Sequence, residues 1–204
     1  GFSYHDSPEL LDHILAGHPE VDYVQLQINY LDWDSVSIQA RQCYDVAVKH
    51  GKKVIVMEPV KGGSLVNLPP AAEAMLKGHA PASSIPSWAI RFASSLDAVE
   101  IVLSGMNSME QIEDNMRTFS PLPLQETALL ARAAEIIREN TAIACTGCNY
   151  CAPNCPKAIP IPKYFALYND FARNPGEDWK MQHVYDTLSA SAGKASDCIG
   201  CRKW

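Results

Sequence analysis

Short apolar runs alternate with amphipathic segments along the first part of this chain, and this alternation limits the fold more than any other feature. The run Val54–Met57 is continuously apolar, as expected for a strand of a parallel sheet that is covered on both faces. Candidate strands lie at 21–28, 54–57 and 99–103, with candidate helices at 34–50 and 86–94. The pattern predicts βαβ units with a parallel sheet, either an open doubly wound sheet or a barrel. No Gly-x-Gly-x-x-Gly follows a strand, which weighs against the open dinucleotide-binding fold.

Helix boundary signals support these assignments. Ser7 followed by Pro8 predicts a helix start, with serine as the N-cap and proline in the first turn. Gly51 predicts a helix end. Ser108 and Gln111 have the spacing of a capping box, which predicts another helix start.

Charge and hydropathy exclude several classes of function. The 204 residues carry a net charge of −6, and no run of Lys or Arg predicts a nucleic-acid or membrane-surface contact. No apolar stretch approaches the roughly 18 residues that a membrane span needs. No signal peptide opens the sequence, so we expect a cytoplasmic protein.

Six of the seven cysteines lie after position 144, and four of them form one run. The order Cys145-x₂-Cys148-x₂-Cys151-x₃-Cys155-Pro is the spacing used to hold iron–sulfur cubanes, which need four thiolates. Gly147 lets the backbone come close to a cluster. Four cysteines in so short a segment are hard to explain as buried free thiols.

A second run begins at Cys198 and Cys201 but has Trp204 where a third cysteine is expected. In two-cluster modules the fourth cysteine of each run binds the other cluster, so Cys155 would pair with the second run. The two runs supply six thiolates in all. We therefore predict one cluster on Cys145, Cys148 and Cys151, with its fourth thiolate from Cys155, Cys198 or Cys201, and a second site that is labile or absent. Two C-x₂-C pairs could instead hold zinc, which would leave Cys151 and Cys155 unexplained.

Several strings in this order resemble the later strands of an aldo/keto reductase. They are Gly1–Asp6, Val24–Tyr30, Met57–Gly63 and Ser104–Asn115, and the cysteine runs resemble the branch of that family with a C-terminal ferredoxin-like domain. The resemblance implies an α/β protein with about strands five to eight of a (β/α)₈ barrel. It implies a barrel part at 1–120, a linker helix at 121–142 and a small helical 4Fe-4S domain at 143–204.

The resemblance also implies a nicotinamide cofactor site. It assigns the carboxamide to Ser3, the nicotinamide ring to Gln25 (with Gln27 on the same side of the strand), the pyrophosphate to the loop holding Glu58, Gly62 and Gly63, and the adenosine end to Gly105, Ser108 and Asn115. The basic residues that take a 2′-phosphate in the family would fall near Gly105 and Gln111. Neither is basic, which speaks against a preference for NADPH.

The resemblance implies an iron–sulfur oxidoreductase that moves hydride between NAD(P) and a carbonyl. The family's catalytic residues belong to earlier strands, so we assign no catalytic residue and expect a fragment. The alternatives are a non-catalytic electron-transfer or structural 4Fe-4S protein and a zinc-binding module. Expected partners are a small carbonyl substrate, a redox partner and a second copy that pairs with exposed barrel edges.

Overall fold

The computed structural model of the protein describes residues 1–36, 38–118, 122–145, 147, 149–173 and 178–202. The chain divides into two compact units, Gly1–Ile136 and Ile137–Trp204. The division expected from the sequence, with a barrel part ending at residue 120 and a linker helix ending at residue 142, remains a prediction. None of the described helices is both long and apolar enough to cross a membrane.

The first unit is built on a sheet of four parallel strands in the order β1-β2-β3-β4, the same as their order along the chain. The strands are β1 (Phe2–Ser3), β2 (Tyr23–Gln27), β3 (Lys53–Met57) and β4 (Val99–Val102). The helices are α1 (Pro8–Gly17), α2 (Ala40–Lys49), α3 (Pro70–His79), α4 (Ile85–Ser94), α5 (Met109–Arg117) and α6 (Leu124–Glu139). The predicted parallel α/β architecture is confirmed, while α3 was not predicted.

The core lies between the sheet and its helices. Val24, Leu26, Val54 and Val56 point to one face of the sheet and are at most 2% exposed, where α2 packs on β2 and β3. The residues between them, such as Gln25 and Ile55, point to the other face and are half-buried. The central strands alternate in burial because successive side chains point to opposite faces.

Two helix boundaries follow from the sequence and one does not. Ser7 Oγ accepts a hydrogen bond from Leu10 N at 3.4 Å, and Gly51 adopts a φ of +64° after α2, as predicted. The predicted start of α2 at position 34 is wrong, because the helix begins at Ala40. Gln39 has the left-handed φ of 54°, which interrupts any helix that approaches from Asp34.

Helix α6 is held to the first unit by a buried ion pair and an apolar stripe. Arg91 Nη2 on α4 lies 2.6 Å from Glu126 Oε2, and both side chains are 13% exposed. Leu130, Ala133 and Ala134 are at most 1% exposed. The burial of these three side chains shows that one face of α6 is covered by the protein.

The second unit contains α7 (Ile161–Arg173), α8 (Asp178–Ser189) and loops that carry the cysteines. The Tyr164 and Tyr185 rings pack 5.1 Å apart between the two helices. Asn169 Nδ2 donates to Ile143 O and its Oδ1 accepts from Ile143 N, both at 2.7 Å. This paired bond fixes the loop that leads into Cys145.

Candidate cofactor cavity and cysteine site

A cavity of about 510 Å³ lies at the carboxyl ends of β3 and β4. Its walls include five residues that the sequence assigned to the cofactor, and these come from two separate segments: Glu58, Gly62, Gly63, Gly105 and Asn115. Ligands of parallel α/β folds bind at the carboxyl ends of the strands, because the loops that leave these ends converge there. The structure therefore brings most of the predicted cofactor residues to one place.

The loop after β3 has an unusual backbone. Glu58, Lys61, Gly62 and Gly63 all have a left-handed φ, between 51° and 94°. For the two residues that are not glycine, this conformation costs roughly 1–2 kcal/mol each. Contacts from outside the loop must therefore hold it in place.

Those contacts come from a buried polar network at the end of β2. Asp32 accepts hydrogen bonds from Lys61 Nζ at 2.6 Å and from Gln27 Nε2 and Asn29 Nδ2 at 2.9 Å each. Asn29 Nδ2 also lies 3.2 Å from Glu58 O. Asp32 and Lys61 are only 6% and 12% exposed, so this ion pair is largely shielded from water. The network fixes both ends of the loop that forms one wall of the cavity.

Sequence reasoning missed Asn29 and Asp32. The available signal was their position, since polar residues that directly follow a strand lie at its carboxyl end, where ligand sites form. Gln27 and Gln25 lie on the same side of β2, as strand alternation predicts, but their side chains contact different partners. Its amide donates to Asp32, whereas Gln25 Nε2 lies 3.4 Å from Met57 Sδ.

Three other predicted cofactor residues lie outside the lining of this cavity. Ser3 pairs in register with Gln25, so both side chains point to the same face of the sheet. Ser108 caps α5, with its Oγ accepting from Gln111 N at 3.3 Å. The capping box is incomplete, because Gln111 Oε1 accepts from Asn107 N at 2.9 Å rather than from Ser108 N.

The N-terminus of α5 already faces an acidic side chain. Hydrogen bonds from its own backbone N–H and from Ser108 lower the pKa of Glu110. A carboxylate in the first turn matches the positive end of the helix dipole. Glu110 therefore already supplies an anionic group to the N-terminus of this helix.

On the other wall of the cavity, α5 presents polar side chains. Asn115 Nδ2 donates to Ser104 Oγ at 3.0 Å, which joins α5 to the loop after β4. Asp114 Oδ2 accepts from Ser84 Oγ at 2.5 Å, at the start of α4. Asp114 and Asn115 both line the cavity. The wall is thus held by hydrogen bonds to two neighbouring elements.

In the second unit, a cavity of about 550 Å³ is lined by four cysteines from the two runs: Cys151, Cys155, Cys198 and Cys201. Cys145 is not in this lining, and Cys148 lies outside the described residues. Within the described ranges, no group of three or more His, Cys, Asp or Glu side chains is arranged to hold a metal ion. The structure thus brings cysteines of both runs to one cavity, and the predicted set of cluster ligands remains a prediction.

The two cysteine runs share a backbone conformation. Gly147 and Gly200 each precede the second cysteine of a run, and they have φ values of 73° and 64°. The residues after those cysteines, Asn149 and Arg202, are also left-handed, at 63° and 55°. Gly147 N donates to Cys145 Sγ at 3.4 Å. Turns of this kind present backbone N–H groups to an anion, which suits a cluster of thiolates and sulfides.

Comparison with known proteins adds a family to this geometry. A model of the Aldo/keto reductase family matches residues 1–135. Among solved structures, the chain is similar to the aldo-keto reductase AKR11C1 from Bacillus halodurans in its holo form, with 19% identity and a TM-score of 0.50 over 65% of this chain and 49% of that one. The chain thus spans about half the length of that protein. No curated protein matches the sequence.

Proposed function

The chain belongs to the aldo/keto reductase family, and on that premise we propose that it forms the dinucleotide-binding part of an NAD(P)-dependent oxidoreductase acting on small carbonyl compounds. The observation that carries the proposal is the cavity at the ends of β3 and β4, which gathers cofactor residues from two loops. Ser3 and Gln25, on one face of the sheet, are proposed to meet the nicotinamide. When bound, the nicotinamide supplies or accepts the hydride.

The residues of the chain have distinct roles in this proposal. The left-handed glycines Gly62 and Gly63 expose backbone at the cavity wall, where a pyrophosphate can approach without meeting a side chain. Asp32 and Lys61 hold that loop in its strained conformation. Asn115 and its loop partner Ser104 are proposed to line the adenosine end.

A matched pair of glycine variants tests this site. Gly63 and Gly51 both have a positive φ and open space where a Cβ atom would stand, but only Gly63 lines the cavity. Aspartate is among the residues that best tolerate a positive φ, so Gly51→Asp controls for a carboxylate on such a backbone, and thermal unfolding of both variants accounts for the greater strain at Gly63, whose φ is 94° rather than 64°. We expect Gly63→Asp to weaken NADH binding, measured by calorimetry, about tenfold or more, since it places a carboxylate against the pyrophosphate. Equal affinities in the two variants would refute the assignment.

We also propose that the second unit holds one 4Fe-4S cluster, supported by the four cysteines that line one cavity. Cys151 and Cys155 from the first run would then share ligation with Cys198 and Cys201. The cluster would relay electrons to a redox partner or staple the unit. Reduced thiols are required in either case, which fits the cytoplasm.

Metal content separates this proposal from its alternatives. We expect about four irons and four acid-labile sulfides per chain after anaerobic purification. Cys198→Ser is expected to lose most of this iron, while Cys43→Ser, a buried thiol of the first unit, keeps it. One zinc without sulfide would replace the cluster with a zinc site. A cluster without any NADH binding would favour an electron-transfer or structural protein over a reductase.

A further inference from the structure

The dinucleotide cavity has acidic side chains on two sides. Glu58 enters from the loop after β3 and Asp114 from α5. Among the described residues that line the cavity, none is Lys or Arg. Lys61, the cation of the same loop as Glu58, is paired with Asp32 at 2.6 Å and is not part of the lining. The fixed charge around the cavity is therefore negative.

Glu58 also has an unsatisfied acceptor. Its Oε2 atom is buried and has no hydrogen-bond partner among the described residues. A buried carboxylate oxygen without a donor is costly, whereas a bond from a ligand hydroxyl would recover that free energy. Asp114 differs, because its Oδ2 already accepts from Ser84 Oγ. Glu58 is thus the residue in this wall that requires a donor.

These features discriminate between the two nicotinamide dinucleotides. NAD(H) offers ribose hydroxyls, which donate hydrogen bonds to carboxylates, as acidic residues of other dinucleotide sites accept from a ribose hydroxyl. NADP(H) carries a phosphate in place of the 2′-hydroxyl, adding between one and two negative charges and removing that donor. A site for this phosphate needs Arg or Lys, and like charges in a partly buried cavity repel strongly.

We propose, building on the proposed dinucleotide function, that this cavity selects NAD(H) against NADP(H), with Glu58 accepting a hydrogen bond from a ribose hydroxyl and Asp114 repelling a 2′-phosphate. Both are specificity-determining residues in this scheme. Gln111, which also lines the cavity, is neutral and offers no counter-charge to a phosphate.

The test compares the dissociation constants of NADH and NADPH for the full chain by calorimetry. We expect NADPH to bind at least about 30-fold more weakly at low ionic strength, with a smaller ratio at about 0.5 M salt because added salt screens repulsion. Glu58→Gln should weaken NADH binding, and Asp114→Asn should strengthen NADPH binding. Gln111→Arg should add a phosphate partner and bring the two constants closer together.

A control on the same helix isolates the cavity charge. Glu113 is exposed and paired with Arg117 at 3.1 Å, and it does not line the cavity. Glu113→Gln removes the same charge from α5 and is expected to leave the NADH-to-NADPH ratio unchanged. An equal shift in Asp114→Asn and Glu113→Gln, or equal binding of both nucleotides by the parent chain, would overturn the selectivity alone. Binding of neither nucleotide would overturn the underlying dinucleotide site.

Discussion

Among the described glycines of the second unit, Gly193 is the one where an added Cβ would meet other atoms within 4 Å, so a single methyl group there should be destabilising. Its N–H donates to Ala158 O at 3.1 Å, and its carbonyl accepts from Tyr164 OH at 2.9 Å. A Cβ at Gly193 would lie 2.0 Å from Lys157 O and 3.1 Å from Ile159 Cγ1. Because the nearer atom belongs to the backbone, it cannot rotate away, and Gly193→Ala must push the two segments apart.

The cost of Gly193→Ala follows from these contacts. Overpacking of a close contact costs about 1–3 kcal/mol. Weakening the two hydrogen bonds adds on the order of 1 kcal/mol. We therefore expect the second unit to lose about 2–4 kcal/mol. Since the segments that separate lead from Cys155 and into Cys198, iron content should fall together with stability.

Native-state hydrogen exchange measures this loss locally, because it reports the opening free energy of amides in α7 and α8. Gly78→Ala is the matched control, since a Cβ there meets nothing within 4 Å and the residue lies inside α3. That variant should stabilise the chain by about 0.5–1 kcal/mol, through helix propensity. The reasoning is refuted if Gly193→Ala leaves the exchange of α7 and α8 unchanged.

Two further predictions concern buried groups of the first unit. Lys61→Met leaves Asp32 without its cation, and we expect the free energy of unfolding, measured by thermal unfolding, to fall by about 3–5 kcal/mol together with weaker NADH binding. The control Lys53→Met breaks the exposed pair with Glu100 and should lower the free energy of unfolding by at most about 1 kcal/mol. Equal losses in the two variants would contradict the role of burial. Burial raises the pKa of Cys43 to about 11, so its reactive thiolate is roughly a thousandth of the population at about pH 8. In metal-free protein, peptide mass spectrometry should find Cys43 alkylated far more slowly than an exposed cysteine of the second run. The alkylation rate of Cys43 should rise about tenfold per pH unit. Labelling of Cys43 as fast as the exposed thiols would show that its burial is wrong.

The sequence predicted the elements whose causes are local. The continuous apolar run of β3 and the serine cap of α1 each depend on residues within a few positions, so both were readable without a partner segment. Gly51 ended α2 for the same reason, since glycine takes a left-handed φ without steric cost. The parallel order of the sheet followed from the spacing of strands and helices.

The start of α2 was mispredicted because its cause is not local. The apolar and polar pattern from position 34 suits a helix, but Trp33, directly before this segment, packs its ring 5.6 Å from that of Phe92 on α4. Phe92 is distant in sequence, and no pattern in the chain pairs it with Trp33. Helix propensity is a weak preference that tertiary contacts of this kind override.

For the cofactor residues and the cysteines, too, some features could be predicted from the sequence and others were decided by tertiary packing. Glu58, Gly63 and Asn115 were assigned to the cofactor from the sequence, because the segments that contain them resemble those of the aldo/keto reductases. That Asp114 and Glu58 face one cavity, and that Cys198 shares a cavity with Cys151, was decided by the tertiary structure alone. The spacing of residues along the chain determines which kind of ligand a short segment can bind. The packing of strands and helices determines which distant segments contribute residues to the same ligand site.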